Sequence, residues 1–222
     1  LDAYLLIYEL HKMMKDGMHT IVLCERAKKD VLDFCPSADV HVIPNGLDMS
    51  SIKNEKFDRV QLSRELGIDK KTFILGHVGR FHKIKNHEKL IDVFECLHKM
   101  RPNSILLLVG DGTAQERDRV MKEVAKKHLS DSVKFMGVRP DATALMSCFD
   151  AFALPSYQES FSLVLVEAQV HGVRCVASDT VPEEVICNDN CFKLSINDPS
   201  EKWASLLLDS SVRHDNVKSI YD

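Results

Sequence analysis

Short apolar, β-branched runs alternate along this chain with longer stretches of helical periodicity, and that alternation leaves few folds open. Strands are expected at 21–24, 40–43, 73–79, 105–110, 133–136, 151–154, 174–177 and 192–195. Helices are expected at 25–34, 87–100, 113–128, 141–148, 162–171, 182–186 and 201–208. In the helix at 87–100, Leu90, Ile91, Phe94, Leu97 and His98 recur at helical spacing and form one stripe. Strands apolar on both faces and separated by helices predict a parallel sheet covered on both sides, an α/β, Rossmann-like domain. Sheets of this kind receive ligands beyond the carboxyl ends of their strands.

Length bounds the number of such units. The chain has 222 residues, 45% of them hydrophobic, enough for one full domain and part of another. Residues 1–44 hold only a few such elements, too little for a domain of their own. The sequence Ile43-Pro44-Asn45-Gly46 then signals a turn or hinge. A boundary is therefore placed there, with 1–44 as the tail of one domain and 45–222 as the next. A polar stretch follows at 48–59 before the alternation resumes. The first residue is Leu rather than Met, so a fragment or trimmed chain is expected.

Composition removes several classes. A formal net charge of -4 argues against a nucleic-acid-binding domain, which is normally basic. No apolar run approaches the roughly 20 residues that span a bilayer. The N-terminus lacks the basic start and continuous apolar stretch of a secretory signal. Seven cysteines, an odd number without a C-x-x-C pair, fit a reducing cytosolic compartment. The ten histidines show no metal-ligand spacing, and the chain has no D-x-D, P-loop or H-E-x-x-H motif.

Two strand ends carry the candidate chemistry. In FILGHVGRFHKIKNH at 73–87, a strand runs into Gly79 and Arg80, then a loop with Lys83 and Lys85. Arg80 and Lys85 suit a diphosphate, because a guanidinium supplies both charge and planar donors. A solvated lysine-rich loop is the alternative. In ALPSYQESFSLVLVEAQVHG at 153–172, a strand leads through a polar loop to an apolar helix capped by Ser160 or Ser162. Glu167 on that helix needs a partner, because an unpaired buried carboxylate costs several kcal/mol. Ribose hydroxyls, a Lys or Arg, or a polar strip shared with Gln169 would each serve. Glu159 precedes the same helix, and the amides of Ser160, Phe161, Ser162 and Leu163 form a potential anion or hydroxyl site. A third glycine turn, Gly110-Asp111-Gly112, is a broken dinucleotide fingerprint, with Gln115 in place of the last glycine.

Together these segments resemble the C-terminal domain of the family-4 (group 1) glycosyltransferases of GT-B fold. The matching stretches are VIPNGLD at 42–48, GHVGRFHKIKNHEKLIDVF at 76–94, LLLVGDGT at 106–113, VKFMGV at 133–138 and 153–172. Glu159 and Glu167, with seven residues between them, reproduce the family's signature pair. The segment SDTVPEEV at 178–185 is most similar to bacterial capsular and exopolysaccharide enzymes.

The resemblance implies a metal-independent, retaining transfer of a sugar from a nucleoside diphosphate, with a UDP-sugar as donor, to a hydroxyl of a saccharide or lipid-linked saccharide. It implies no cofactor. Arg80, Lys85 and Glu159 would be catalytic, the first two on the diphosphate and Glu159 on the sugar. Glu167 would bind ribose, Gly79 and 160–163 would line the donor site, and the loop at Val138-Arg139 would receive the base. Ser160 stands where the family often has glycine. The acceptor site would lie in a preceding domain, of which 1–44 hold the end, and that domain would supply any peripheral membrane contact at the inner face. The chain alone is then expected to bind donor and to transfer it poorly. Alternatives from other classes are a non-catalytic nucleotide-sugar-binding module, a GT-B epimerase or phosphorylase, and a nicotinamide-dependent oxidoreductase.

Overall fold

The computed structural model describes residues 10–209. Two parallel sheets organise them. The smaller pairs β1 (His19–Val22) with β2 (Asp39–Val42), joined by α1 (Glu25–Phe34). The larger has six strands, β3 (Phe73–Val78), β4 (Ser104–Val109), β5 (Val133–Gly137), β6 (Ala151–Leu154), β7 (Arg174–Ser178) and β8 (Cys191–Leu194). They lie in the order β5-β4-β3-β6-β7-β8, all pairs parallel. The order turns back on itself between β3 and β6, so their outgoing loops diverge to opposite sides and leave a crevice. This is the doubly wound arrangement whose ligands bind at such a reversal.

Strand alternation explains how both faces are covered. On β3, Ile74 joins one core while Phe73 and Leu75 join the other, and on β4 Leu107 and Leu106 divide the same way. The first core takes α2 (Met49–Asn54), α3 (Arg59–Leu66), α6 (Ala142–Met146) and α7 (Leu163–Val170) through Ile52, Leu62, Leu145 and Leu165. The second takes α4 (His87–Met100), α5 (Ala114–Lys126) and α8 (Ser200–Leu208) through Leu90, Phe94, Val120 and Trp203. All six residues of β4 are buried, as a strand covered on both faces requires. On α4 the stripe gains Val93, which is fully buried, whereas His98 is only half-buried.

The polar stretch at 48–59, for which no element was expected, holds one short helix and the start of another. Asp48 accepts from the Ser51 amide at 3.0 Å and starts α2, and Asp58 accepts from the Val60 amide at 2.8 Å and starts α3. Both are N-cap aspartates, a signal present in the sequence but masked by the low hydrophobicity around it. At 182–186 the helix shrinks to a single 3-10 turn, Glu183–Val185.

Candidate active site

The crevice between β3 and β6 is walled by two loops. From β3 the chain passes Gly79 and Arg80 into the 3-10 turn Lys83–Lys85, and Asn86 in a left-handed conformation, φ 52°, then starts α4. Asn86 tolerates that conformation because its short amide also caps the helix, accepting from the Lys89 amide at 3.3 Å. From β6 the chain passes Ser156, Tyr157 and Glu159 to the start of α7. The Tyr157 amide donates to the Ile84 carbonyl at 2.8 Å and fixes the two loops to each other.

Lys85 and Glu159 meet across this crevice. The Lys85 ammonium donates to Glu159 Oε1 at 2.7 Å, and Ser156 Oγ donates to the same oxygen at 2.7 Å. Glu159 is only 7% exposed, so the pair is largely out of water. Arg80, by contrast, is exposed and makes no hydrogen bond or ion pair among the described residues. Beneath them His77 is buried, its Nδ1 hydrogen-bonded to the Ala153 carbonyl at 2.9 Å, and its Nε2 has no partner. Burial pushes the His77 pKa down to about 4, so it adds no charge at neutral pH.

The start of α7 supplies donors. Ser162 is the N-cap, but its side chain makes no capping bond, and its Oγ is buried without a partner in a residue 3% exposed. Ser160 is exposed and does not cap the helix either. Phe161 is buried against the first core, which anchors the turn. The backbone amides of Ser160, Phe161, Ser162 and Leu163 donate to no protein group among the described residues. Four free amides and a buried hydroxyl at one helix start make a set of donors suited to oxygen-rich, anionic groups.

Glu167 lies one to two turns further along α7, half-buried. Its contact is with the Thr143 hydroxyl, at 3.4 Å to Oε2, and no Lys or Arg pairs with it among the described residues. Burial raises its pKa, the Thr143 bond opposes this, and Glu55 adds to it. The polar-strip alternative also falls away. Gln169 is fully buried, its amide donating to the Leu165 and Val185 carbonyls and its oxygen accepting from the Cys187 amide.

The remaining predicted residues divide. Val138 after β5 is 78% exposed, as an open loop requires. Arg139 is committed elsewhere: its guanidinium donates to both Asp141 oxygens at 2.9 and 2.8 Å and to Glu65 at 2.6 Å. The Asp141 carboxylate, and then Glu65, hold its pKa above the usual arginine value. The glycine turn after β4 packs on the turn after β3. Gly110, at φ +127°, leaves no room for a side chain, since a Cβ there would lie 2.2 Å from the Gly79 carbonyl oxygen. The Gly110-Asp111-Gly112 turn therefore serves a close backbone approach. Sequence spacing also missed one histidine cluster. On the β1–β2 sheet, Asp39 bonds His19 at 2.6 Å and His41 at 3.0 Å, bringing three exposed potential metal ligands within 4.8 Å of one another.

This geometry defines a Rossmann-like domain with a switch-point crevice suited to an anionic, hydroxyl-rich ligand. The chain belongs to the family described as "Glycosyl transferases group 1", whose profile matches residues 58–220. EpsF of Bacillus subtilis (strain 168), which carries a glycosyltransferase name, is 33% identical over 171 residues, 76% of this chain and 44% of that protein. The Escherichia coli UDP-Gal:alpha-D-GlcNAc-diphosphoundecaprenol alpha-1,3-galactosyltransferase is 26% identical over 155 residues, 69% of this chain and 38% of its own. The crystal structure of Anabaena Alr3699/HepE in complex with UDP-glucose superposes with a TM-score of 0.73 at 25% identity, covering 84% of this chain and 52% of that one. The chain thus spans less than half the length of these curated relatives and corresponds to one Rossmann-like half of a GT-B fold.

Proposed function

We propose that this chain holds a UDP-sugar in the β3–β6 crevice and is the donor-binding part of a retaining, metal-independent glycosyltransferase. One observation carries the reading: Arg80, uncommitted among the described residues, the Lys85–Glu159 pair and four amides at the start of α7, free among the same residues, converge at the topological reversal. The diphosphate would lie against Arg80, Lys85 and the helix start. The ribose would bind Glu167, whose half-buried carboxylate has only Thr143 to hold it among the described residues. Glu159 would turn from Lys85 toward the sugar hydroxyls, freeing the ammonium for the phosphate. The exposed backbone near Val138 would border the base, while the Arg139 side chain holds that loop to Asp141 and Glu65.

In the transfer, the bond from the anomeric carbon to the diphosphate oxygen breaks and leaves negative charge on the phosphate. Arg80, Lys85 and the α7 amides would stabilise that charge as it develops. The acceptor oxygen bonds the anomeric carbon on the same face, and its proton passes to the departing phosphate. A preceding domain would present the acceptor, a saccharide or lipid-linked saccharide of polysaccharide biosynthesis, at the cytoplasmic membrane face. Support for that acceptor is the E. coli relative, whose name specifies a diphosphoundecaprenol substrate. No helix among the described residues is long and apolar enough to cross a membrane. We assign no cofactor and no metal to the reaction. Calorimetric titration of UDP, GDP and NAD tests the donor assignment. UDP is expected to bind and NAD not to, and binding of NAD alone would overturn it.

A further inference from the structure

The first turn of α1 reaches the donor crevice from the other sheet. The Glu25 amide donates to Glu184 Oε1 at 2.7 Å. Arg26 sends one guanidinium nitrogen to the Glu159 carbonyl at 2.5 Å and the other to the Thr180 carbonyl. Those carbonyls belong to the loops after β6 and β7. The same loops are tied to each other, because the Ser178 and Thr180 hydroxyls sit 2.7 and 3.0 Å from the Ser156 carbonyl. The residues that follow Ser156 are thus anchored at two points, Ser156 by the β7 loop and Glu159 by Arg26.

The second anchor has a geometric consequence. A peptide unit is planar and trans, so its carbonyl and its N–H point in opposite directions. The carbonyl that Arg26 holds belongs to the peptide joining Glu159 to Ser160. Arg26 therefore also fixes the direction of the Ser160 amide, the first of the four free donors before α7. It likewise sets the backbone from which the Glu159 side chain springs. A bidentate guanidinium does this better than an ammonium, because its planar fork constrains both carbonyls at once.

We propose that Arg26 is a positioning residue for the sugar half of the donor, so that α1 belongs functionally to the donor site. The inference rests on the reading of Glu159 and the α7 amides as sugar and phosphate contacts. Its signature is selective, because Arg80, Lys85, Glu167, Val138 and three of the four α7 amides keep their UDP contacts when the Glu159–Ser160 peptide is released, whereas the Glu159 sugar contact springs from that peptide.

The test compares the affinity of UDP with that of UDP-glucose, UDP-galactose and UDP-N-acetylglucosamine, by calorimetry on the whole chain. Wild type is compared with Arg26→Ala, Arg26→Lys, Glu184→Ala and Glu159→Ala. Arg26→Ala is expected to lower the ratio of the best UDP-sugar affinity to the UDP affinity about tenfold, with UDP itself changed less than about twofold. Arg26→Lys should recover part of the ratio, since an ammonium still reaches one carbonyl. Glu184→Ala removes the neighbouring contact of α1 without releasing the Glu159 peptide and should leave the ratio intact. An unchanged ratio in Arg26→Ala overturns the proposal, as does an equal loss of UDP and UDP-sugar. So does a Glu184→Ala variant that behaves like Arg26→Ala, since docking of the helix would then be the cause. Glu159→Ala separates this from the reading beneath it. If Glu159→Ala lowers the ratio and Arg26→Ala does not, Arg26 alone is misassigned. If neither does, the sugar role of Glu159 fails with it.

Discussion

Among the described residues Glu167 is half-buried with a single long hydrogen bond and no cation, which is a poor arrangement for stability and a useful one for binding. Its pKa is raised chiefly by burial, so the folded state holds a proton more tightly than the unfolded chain does. Its contribution to stability is thus greatest at low pH and is lost as pH rises through the raised folded value. At neutral pH the charged carboxylate works against the fold until a ligand donates to it. Glu167→Gln is expected to raise ligand-free stability by about 0.5–1 kcal/mol, a small figure because the group is partly open to solvent. The same variant should weaken UDP about tenfold. In wild type, UDP affinity should fall as pH drops through the Glu167 titration, and the Gln variant should lose that dependence. Thermal unfolding and titrations at several pH values check both; a Gln variant that is less stable yet binds UDP normally would refute the ribose role. Lys85 and Glu159 pose the opposite case. Each satisfies the other in a nearly dry site, so a donor must replace what it separates.

At the scale of elements, the two turns after β3 and β4 show why their glycines stand where they do. Gly110 combines a positive φ with contact to the Gly79 carbonyl, so it tolerates neither the conformation nor the volume of alanine. Gly110→Ala is expected to cost about 2–3 kcal/mol and to weaken UDP by moving Arg80, which follows Gly79 directly. Denaturant unfolding measures the first and titration the second; an unchanged midpoint would contradict the packing. The alternation of apolar strands and amphipathic helices was legible in the sequence because covered parallel strands must be apolar on both faces. The short helices α2 and α3 were not, since their caps carry the signal and their hydrophobic stripes are brief. Within the site, a need for a partner at Glu167 could be read from its apolar helix. The Lys85–Glu159 contact could not, because it joins residues 74 apart and depends on how two loops diverge. Arg26 is more remote still, 133 residues from Glu159 and in a segment read as the tail of another domain. The His19–Asp39–His41 cluster depends on strand register, which residue spacing does not encode.

For the molecule as a whole, charge and site pull in opposite directions. The chain carries a net charge of -4, which by itself would repel a nucleoside diphosphate and make added salt favourable to binding. Among the described residues the crevice presents the exposed, unpaired guanidinium of Arg80 and, were Glu159 to turn toward a donor sugar, it would also present the Lys85 ammonium. Exposed Lys83 lies nearby, and His77 is held neutral by burial. At about 0.1 M salt, charges beyond roughly 10 Å are screened, so nearby cations dominate over the distant acidic surface. UDP affinity is therefore expected to fall several-fold between about 0.05 and 0.5 M salt. Arg80→Gln, which removes the most accessible of these charges, should weaken UDP and flatten that dependence together. Calorimetry across a salt series reads both effects. A wild-type affinity that rises with salt would mean that the general repulsion prevails and that the phosphate lies away from Arg80 and Lys85.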